Sequence, residues 1–310
     1  MGADTDVEPL CVARTRTHVM SCEATVVVTA SPNSIDVERV AEQAVRRLGE
    51  LEQRWSRFLP TSEVSELNAS PGTLRQVSPD TLRLVEALVQ AWHATDGAFD
   101  PTLLGALVHL GYGVSRERSD LTTSLTPGTN LRGRPASILV RAADRAVMLP
   151  AGTTLDAGGL GKGLAADMIV DEIIAGGAAG ALVEIGGDLR ASGRPPAGDA
   201  WPISVPDTDD VIEIAHGGVA TSTSRLRTWT NEGTTHHHLV DPSTLQSTTG
   251  EVEACTVIAG TGAWAEAFTK VAFAHGAARA LAIYESHHFA ASITTSDGIV
   301  ATSNWKEYQR

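Results

Sequence analysis

The chain has 310 residues and a formal net charge of −13, with 42% hydrophobic and 20% charged residues, the composition of a globular protein with room for one large domain or two packed ones. The acidic balance excludes a general nucleic-acid binder and docking on an anionic membrane, so an anionic substrate has to be held by local groups. Cys11, Cys22 and Cys255 are odd in number and scattered. With no signal peptide and no apolar run long enough to span a bilayer, they point to the cytoplasm.

Residues 1–18 read as a flexible leader, and 19–310 as a single domain. Residues 24–30 are short and β-branched, hence a strand. Val37–Trp55 repeats Val40, Ala44, Leu48 and Leu51 on one face of an amphipathic helix. The loop after it carries Trp55-Ser56-Arg57-Phe58 and Ser62 to Asn68. Ser78-Pro79-Asp80 opens a second helix, with a capping hydroxyl and a first-turn proline, which ends at Asp96-Gly97. Ala98-Phe99-Asp100-Pro101-Thr102 is an extended corner, and residues 115–133 read as a surface loop or insertion. Residues 138–140 and 146–149 form a strand pair, and 164–175 a helix. Residues 181–185 are a buried strand ending in the tight turn Gly186-Gly187-Asp188. Strand-like stretches follow at 201–205, 211–215, 219–223 and 255–259, then helices at 263–275 and 277–286. This mixture without regular βαβ repetition is α+β with a mixed or antiparallel sheet.

Three constellations carry candidate chemistry. Asp156-Ala157-Gly158-Gly159-Leu160-Gly161-Lys162-Gly163 sets four glycines and an ammonium at the start of a helix. It reads either as a phosphate cradle or as a tight turn; its spacing is neither a Walker A loop nor a dinucleotide fingerprint. His236-His237-His238 precedes Asp241-Pro242. In an extended segment successive side chains alternate, so at most two of the three face one way, as a proton acceptor or as solvated residues. Glu266 and Lys270 lie four apart on a helix that is apolar on both sides. They form either a surface ion pair or a partly buried pair beside a site. Phe58 is either core or a stacking surface for a planar ring.

In this order the pieces resemble the ApbE-type flavin transferases, FAD:protein FMN transferases. The matches run from Met20-Ser21-Cys22 through Ser62 to Asn68, Phe99-Asp100-Pro101-Thr102, Asp156 to Asp167, Gly186-Gly187-Asp188 and Ala220-Thr221-Ser222 to His238 through Pro242. The resemblance implies an ApbE-like, T-fold-like core with a flavin cleft between two lobes. It also implies transfer of FMN from FAD to a Thr or Ser hydroxyl of an acceptor flavoprotein, with release of AMP. By the match, Asp156, Lys162 and His238 are catalytic, His238 as the base on the acceptor hydroxyl. Met20, Phe58, Asn68, Phe99, Asp100, Pro101 and Val240 join Asp156 and Lys162 in holding FAD, Phe58 and Asn68 on the adenine side. The family's Mg²⁺ is shared by a glycine-loop carbonyl, here that of Gly159, an Asp and a Thr. This chain has Glu266 for the Asp and Lys270 for the Thr, and Thr223 and Leu245 replace two family glycines. Two alternatives accompany this expectation: an FAD- or nucleotide-binding protein that has lost transfer, and a repurposed enzyme acting on a small-molecule acceptor.

Overall fold

The computed structural model describes residues 9–310. Its centre is an eight-stranded antiparallel sheet whose strands lie side by side in chain order. They are β1 (Cys11–Val19), β2 (Cys22–Ala30), β3 (Gly180–Ile185), β4 (Asp188–Gly193), β5 (Gly217–Thr223), β6 (Val252–Ala259), β7 (Ala290–Thr295) and β8 (Gly298–Ala301). The sheet is a meander whose connections have been expanded. Between β2 and β3 run α1 (Val37–Trp55), α2 (Glu63–Ala69), α3 (Pro79–Ala94), α4 (Leu104–His109) and α5 (Gly161–Ala175). Between β6 and β7 run α6 (Gly262–His275) and α7 (Ala277–Ser286). Among the described residues no helix is long and apolar enough to cross a membrane.

Side-chain alternation assigns the two faces of the sheet. From β2, Ala24, Val26, Val28 and Ala30 pack with the buried residues of α1 and α5, joined by Ala181, Val183 and Ile185 of β3. Val27, between them, points the other way. It joins Leu189, Val219 and Ile258 under a two-stranded ribbon, Trp201–Ser204 with Val211–Ile214, and under Trp305. In α1 the side chains of Ala41, Leu48 and Leu51 are fully buried, each Leu contributing about 1.5–3 kcal/mol. Asp36 caps its first turn by accepting from the Arg39 N–H.

The leader expectation is corrected at residues 11–18. They are not frayed but form β1, paired with β2 along its whole length, Cys11 opposite Ala30 through Val19 opposite Cys22. Arg14 and Arg16 stand on this edge strand, where charge discourages pairing with another chain. Residues 1–8 lie outside the described residues. The stretch from Ser62 to Asn68, read as loop, contains α2, with the Ser62 hydroxyl accepting from the Ser65 N–H.

Two helices touch backbone to backbone. A Cβ on Gly163 would lie 2.3 Å from the Gly262 carbonyl oxygen, so the first turns of α5 and α6 meet only because neither position has a side chain. Asp167 locks the crossing by accepting from the Gly262 and Ala263 N–H groups at 2.7 and 2.9 Å. One of the loop's four glycines therefore serves helix packing.

Candidate active site

One end of the sheet opens into a cleft, and two short turns deliver residues to its floor. Met20 and Ser21 join β1 to β2 with φ of 53° and 58°, and the Met20 N–H donates to Glu52 at 2.8 Å. Gly186 and Gly187 join β3 to β4 with φ of 59° and 91°. Positive φ at both central residues matches the twist of the flanking strands. A Cβ on Gly186 would also meet the Cys22 sulfur at 2.6 Å. The second turn places Asp188, 3% exposed, at the cleft.

Asp188 meets the glycine-rich loop there. The Lys162 ammonium donates to Asp188 and, at 2.5 Å, to Glu266 Oε1. Glu266 Oε2 accepts from the Gly163 N–H at 2.8 Å and so caps α5, whose own N-cap residue, Leu160, makes no side-chain cap. Burial opposes the charge on Lys162, but Asp188 and Glu266 outweigh it and raise the pKa. Burial pushes the Asp188 carboxyl up to about 6 against the pull of the same ammonium. At Glu266 burial is outweighed by Lys162 and Lys270, and the carboxyl is held low. Glu266 is 1% exposed, so the surface-pair reading does not hold. Lys270 donates at 2.8 Å to the main-chain carbonyl of Glu266.

The opposite wall is built on the corner from Phe99 to Thr102. Asp156 accepts from the Gly158 N–H at 3.0 Å and lies 3.7 Å from Arg57. The Arg57 guanidinium sits 4.3 Å from the centre of the Phe58 ring and 4.6 Å from that of Tyr112. Asp100 accepts from Arg132 at 2.7 Å, and Arg132 reaches on to the Pro242 carbonyl at 3.2 Å. Arg132 comes from the segment read as an insertion, and it ties the two Asp-Pro corners together. Asn68 lies behind this wall: its amide exchanges two hydrogen bonds, of 2.9 and 2.7 Å, with the backbone of Leu155. It does not border the cleft, and neither does Pro101. Asn68 holds Leu155, and the Pro101 carbonyl accepts from the Asp156 N–H at 2.9 Å, so both brace the loop that does.

The roof comes from the excursion between β5 and β6. Of the three histidines, His236 lies 6.2 Å, centre to centre, from the Trp229 ring, and His237 is bonded to the Thr248 carbonyl at 2.9 Å. His238 alone borders the cleft. Its Nδ1 is buried and has no hydrogen-bond partner among the described residues. Burial first, then Arg227, Lys270 and Lys162, push its pKa well below the ordinary imidazole value. Arg227, which sequence reasoning missed, lines the cleft with φ of 51° and donates to the Cys22 sulfur at 3.0 Å. Tyr112 was missed too. Both lie in polar loops with no periodicity, and only the folding of those loops over the sheet end brings them to the site.

Met20, Phe58, Phe99, Asp100, Asp156, Gly159, Lys162, His238, Val240 and Glu266 thus border one cleft. The sequence profile of the ApbE family matches residues 20–293. The chain belongs to the ApbE family. A FAD:protein FMN transferase of Vibrio cholerae is 25% identical over 295 residues, covering 89% of this chain and 86% of its own. One from Treponema pallidum is 27% identical over 273 residues, covering 80% and 74%. Among solved structures, an ApbE protein of Thermotoga maritima superposes with a TM-score of 0.84 at 25% identity, over 97% of this chain and 100% of that one. The apo flavinyl transferase ApbE of Pseudomonas stutzeri gives 0.82 at 25% identity, over 98% of each chain.

This ApbE-family site does not fit the divalent ion that the resemblance implied. Mg²⁺ takes oxygen ligands in strict octahedral geometry. Both Glu266 carboxylate oxygens are already engaged, by Lys162 and by the Gly163 N–H. At position 270 an ammonium donor stands in place of an oxygen ligand. The neighbouring Thr269 hydroxyl is turned to Ser222, at 2.7 Å, and to the Glu266 carbonyl. Among the described residues no group of three or more His, Cys, Asp or Glu side chains is arranged to hold a metal.

Proposed function

We propose that this chain is a transferase that moves FMN from FAD to a Thr or Ser hydroxyl of an acceptor flavoprotein, with release of AMP, and that residues 11–310 work as one catalytic unit. The observation that carries the reading is that His238 and the loop around Lys162 face the same cleft. In the reaction the acceptor oxygen attacks the FMN phosphorus, and the bond from that phosphorus to the bridging oxygen breaks. AMP leaves with the bridging oxygen, and the hydroxyl proton passes to His238.

Each assigned role has a physical reason. A hydroxyl is a poor nucleophile until a base takes its proton. A neutral imidazole bordering the cleft is such a base. The diphosphate carries negative charge that grows on the leaving oxygen. Lys162, Lys270 and Arg227 line the same cleft, together with the carboxylates of Asp188 and Glu266. Phe58, Tyr112 and Phe99 offer ring surface to the flat parts of FAD. Asp156 orders the glycine loop through the Gly158 N–H. The free thiols, Cys255 buried and Cys22 half-buried beside Arg227, support a reducing, cytoplasmic compartment.

The test is incubation of the purified chain with FAD and a candidate acceptor flavoprotein, followed by nucleotide and protein-bound flavin analysis. AMP together with covalently flavinylated acceptor is the expected result. Free FMN with AMP signifies hydrolysis, and intact bound FAD signifies a carrier; either contradicts transfer. His238→Ala is expected to abolish flavinylation and leave FAD affinity nearly unchanged, because the base acts on the acceptor. An active His238→Ala enzyme removes the imidazole from this role.

A further inference from the structure

The cation that this cleft offers a diphosphate is part of the chain. We infer that the Lys270 ammonium, resting on α6 against the glycine loop, holds the FAD diphosphate and that FAD binding here needs no divalent ion. The inference rests on the flavin-transfer reading and adds the means by which charge is neutralised.

The geometry around Lys270 has three parts. First, its Cε lies 3.5 Å from where a Cβ on Gly159 would sit, so the side chain packs on the loop whose carbonyl was expected to hold the metal. Second, an ammonium has three protons to donate, and among the described residues Nζ has one hydrogen-bond acceptor, the Glu266 carbonyl at 2.8 Å. Half-buried and facing Glu266 and Asp188 only through space, the ammonium keeps N–H donors that a ligand can take up. Third, the carboxylates that a metal would use belong to Lys162: Glu266 Oε1 at 2.5 Å and Asp188 beside it.

The remaining charges point the same way. Lys162, Lys270 and Arg227 all line the cleft. Burial first lowers the Lys270 pKa, Glu266 and Asp188 support its charge, and Lys162 and Arg227 oppose it. Lys162 is hydrogen-bonded to both carboxylates, whereas Lys270 feels the same two only through space and so keeps N–H donors for an anion. A divalent ion added beside Glu266 and Asp188 would have to displace Lys162 from both. A phosphate oxygen supplies what Lys270 lacks: an anionic acceptor at hydrogen-bonding distance, in a site where charge-assisted bonds are strong.

The experiment is FAD binding, followed by quenching of flavin fluorescence, in EDTA and in millimolar magnesium. The wild-type chain is expected to bind FAD with the same affinity in both buffers. Magnesium alone, titrated calorimetrically, is expected to give no binding heat. Lys270→Thr removes the ammonium. It is expected to weaken FAD binding by about 10–100-fold in EDTA, the loss of one hydrogen bond to a charged group, and to be no tighter with magnesium, because Lys162 and the Gly163 N–H still occupy the carboxylates. Lys270→Gln, which keeps reach and hydrogen bonding without charge, is expected to lose affinity in both buffers, and the wild-type comparison stands if either variant fails to fold. Wild-type FAD binding that collapses in EDTA and returns with magnesium would overturn the inference while leaving flavin transfer intact. So would Lys270→Thr binding FAD as tightly as wild type in EDTA. A wild-type chain that binds FAD in neither buffer would overturn the flavin reading itself.

Discussion

Burial keeps the His238 imidazole neutral at physiological pH, and Arg227, Lys270, Lys162 and His237 each add to the cost of a further positive charge there. The sign of the resulting pH dependence follows. A base whose pKa is depressed stays unprotonated until the solution is more acidic than the ordinary imidazole value, about 6.5. The rate of flavinylation, as kcat/KM for the acceptor, is therefore expected to be flat as pH falls from 8 to about 6.5 and to drop only below that. A rate already falling between pH 8 and 7 would argue for another base. At this scale the sequence was informative where chemistry is local. Lys162 sits in a loop of unusual composition, His238 precedes a recognisable corner, and both border the cleft. Asn68 and Pro101 carried the same signal, yet they brace the cleft from behind. Arg227 carried none, because its place depends on how residues 224–251 fold back over the sheet.

Elements with a clean period were legible, and those whose burial is satisfied by partners far along the chain were not. α1 and α3 announce themselves through apolar spacing and capping residues. β4 reads Asp-Leu-Arg-Ala-Ser-Gly, without a β-branched residue, and is nonetheless an interior strand between β3 and β5. Its Arg190 is tolerated because Asp167 and the Gly260 carbonyl take up the guanidinium. β1 was missed because polar and charged residues alternate along an edge. The two lost family glycines behave differently. Thr223 simply continues β5, opposite Ala254. Leu245 keeps the left-handed turn at φ 60°, held by its N–H to the Asp241 carbonyl at 2.8 Å. An L-residue there costs roughly 1–2 kcal/mol. Leu245→Gly is accordingly expected to raise the urea midpoint, at unchanged slope, by an amount worth about 1 kcal/mol. A lowered midpoint would mean that the leucine side chain contributes more through packing than its backbone loses through strain.

Across the whole molecule, the fold brings four cations into one cleft of an acidic chain, where the carboxylates of Glu52, Asp100, Asp156, Asp188 and Glu266 stand among them. The net charge is −13, yet Lys162, Lys270, Arg227 and Arg57 converge on one end of the sheet. They arrive from α5, α6, the roof loop and the end of α1, regions separated by many tens of residues. That convergence is a property of the meander. Short turns join β1 to β2 and β3 to β4, and the long excursions between β2 and β3, β5 and β6, and β6 and β7 return side chains to the same sheet end. The central claim is that the diphosphate of FAD lies there, between the ammonium groups of α5 and α6 and the imidazole of His238. A crystal structure of His238→Ala with FAD tests it most directly. The account expects the diphosphate within hydrogen-bonding distance of Lys270, with the FMN phosphate facing the space left by the imidazole. FAD seated in the groove on the other face of the sheet, beside Trp201 and Arg16, would contradict it.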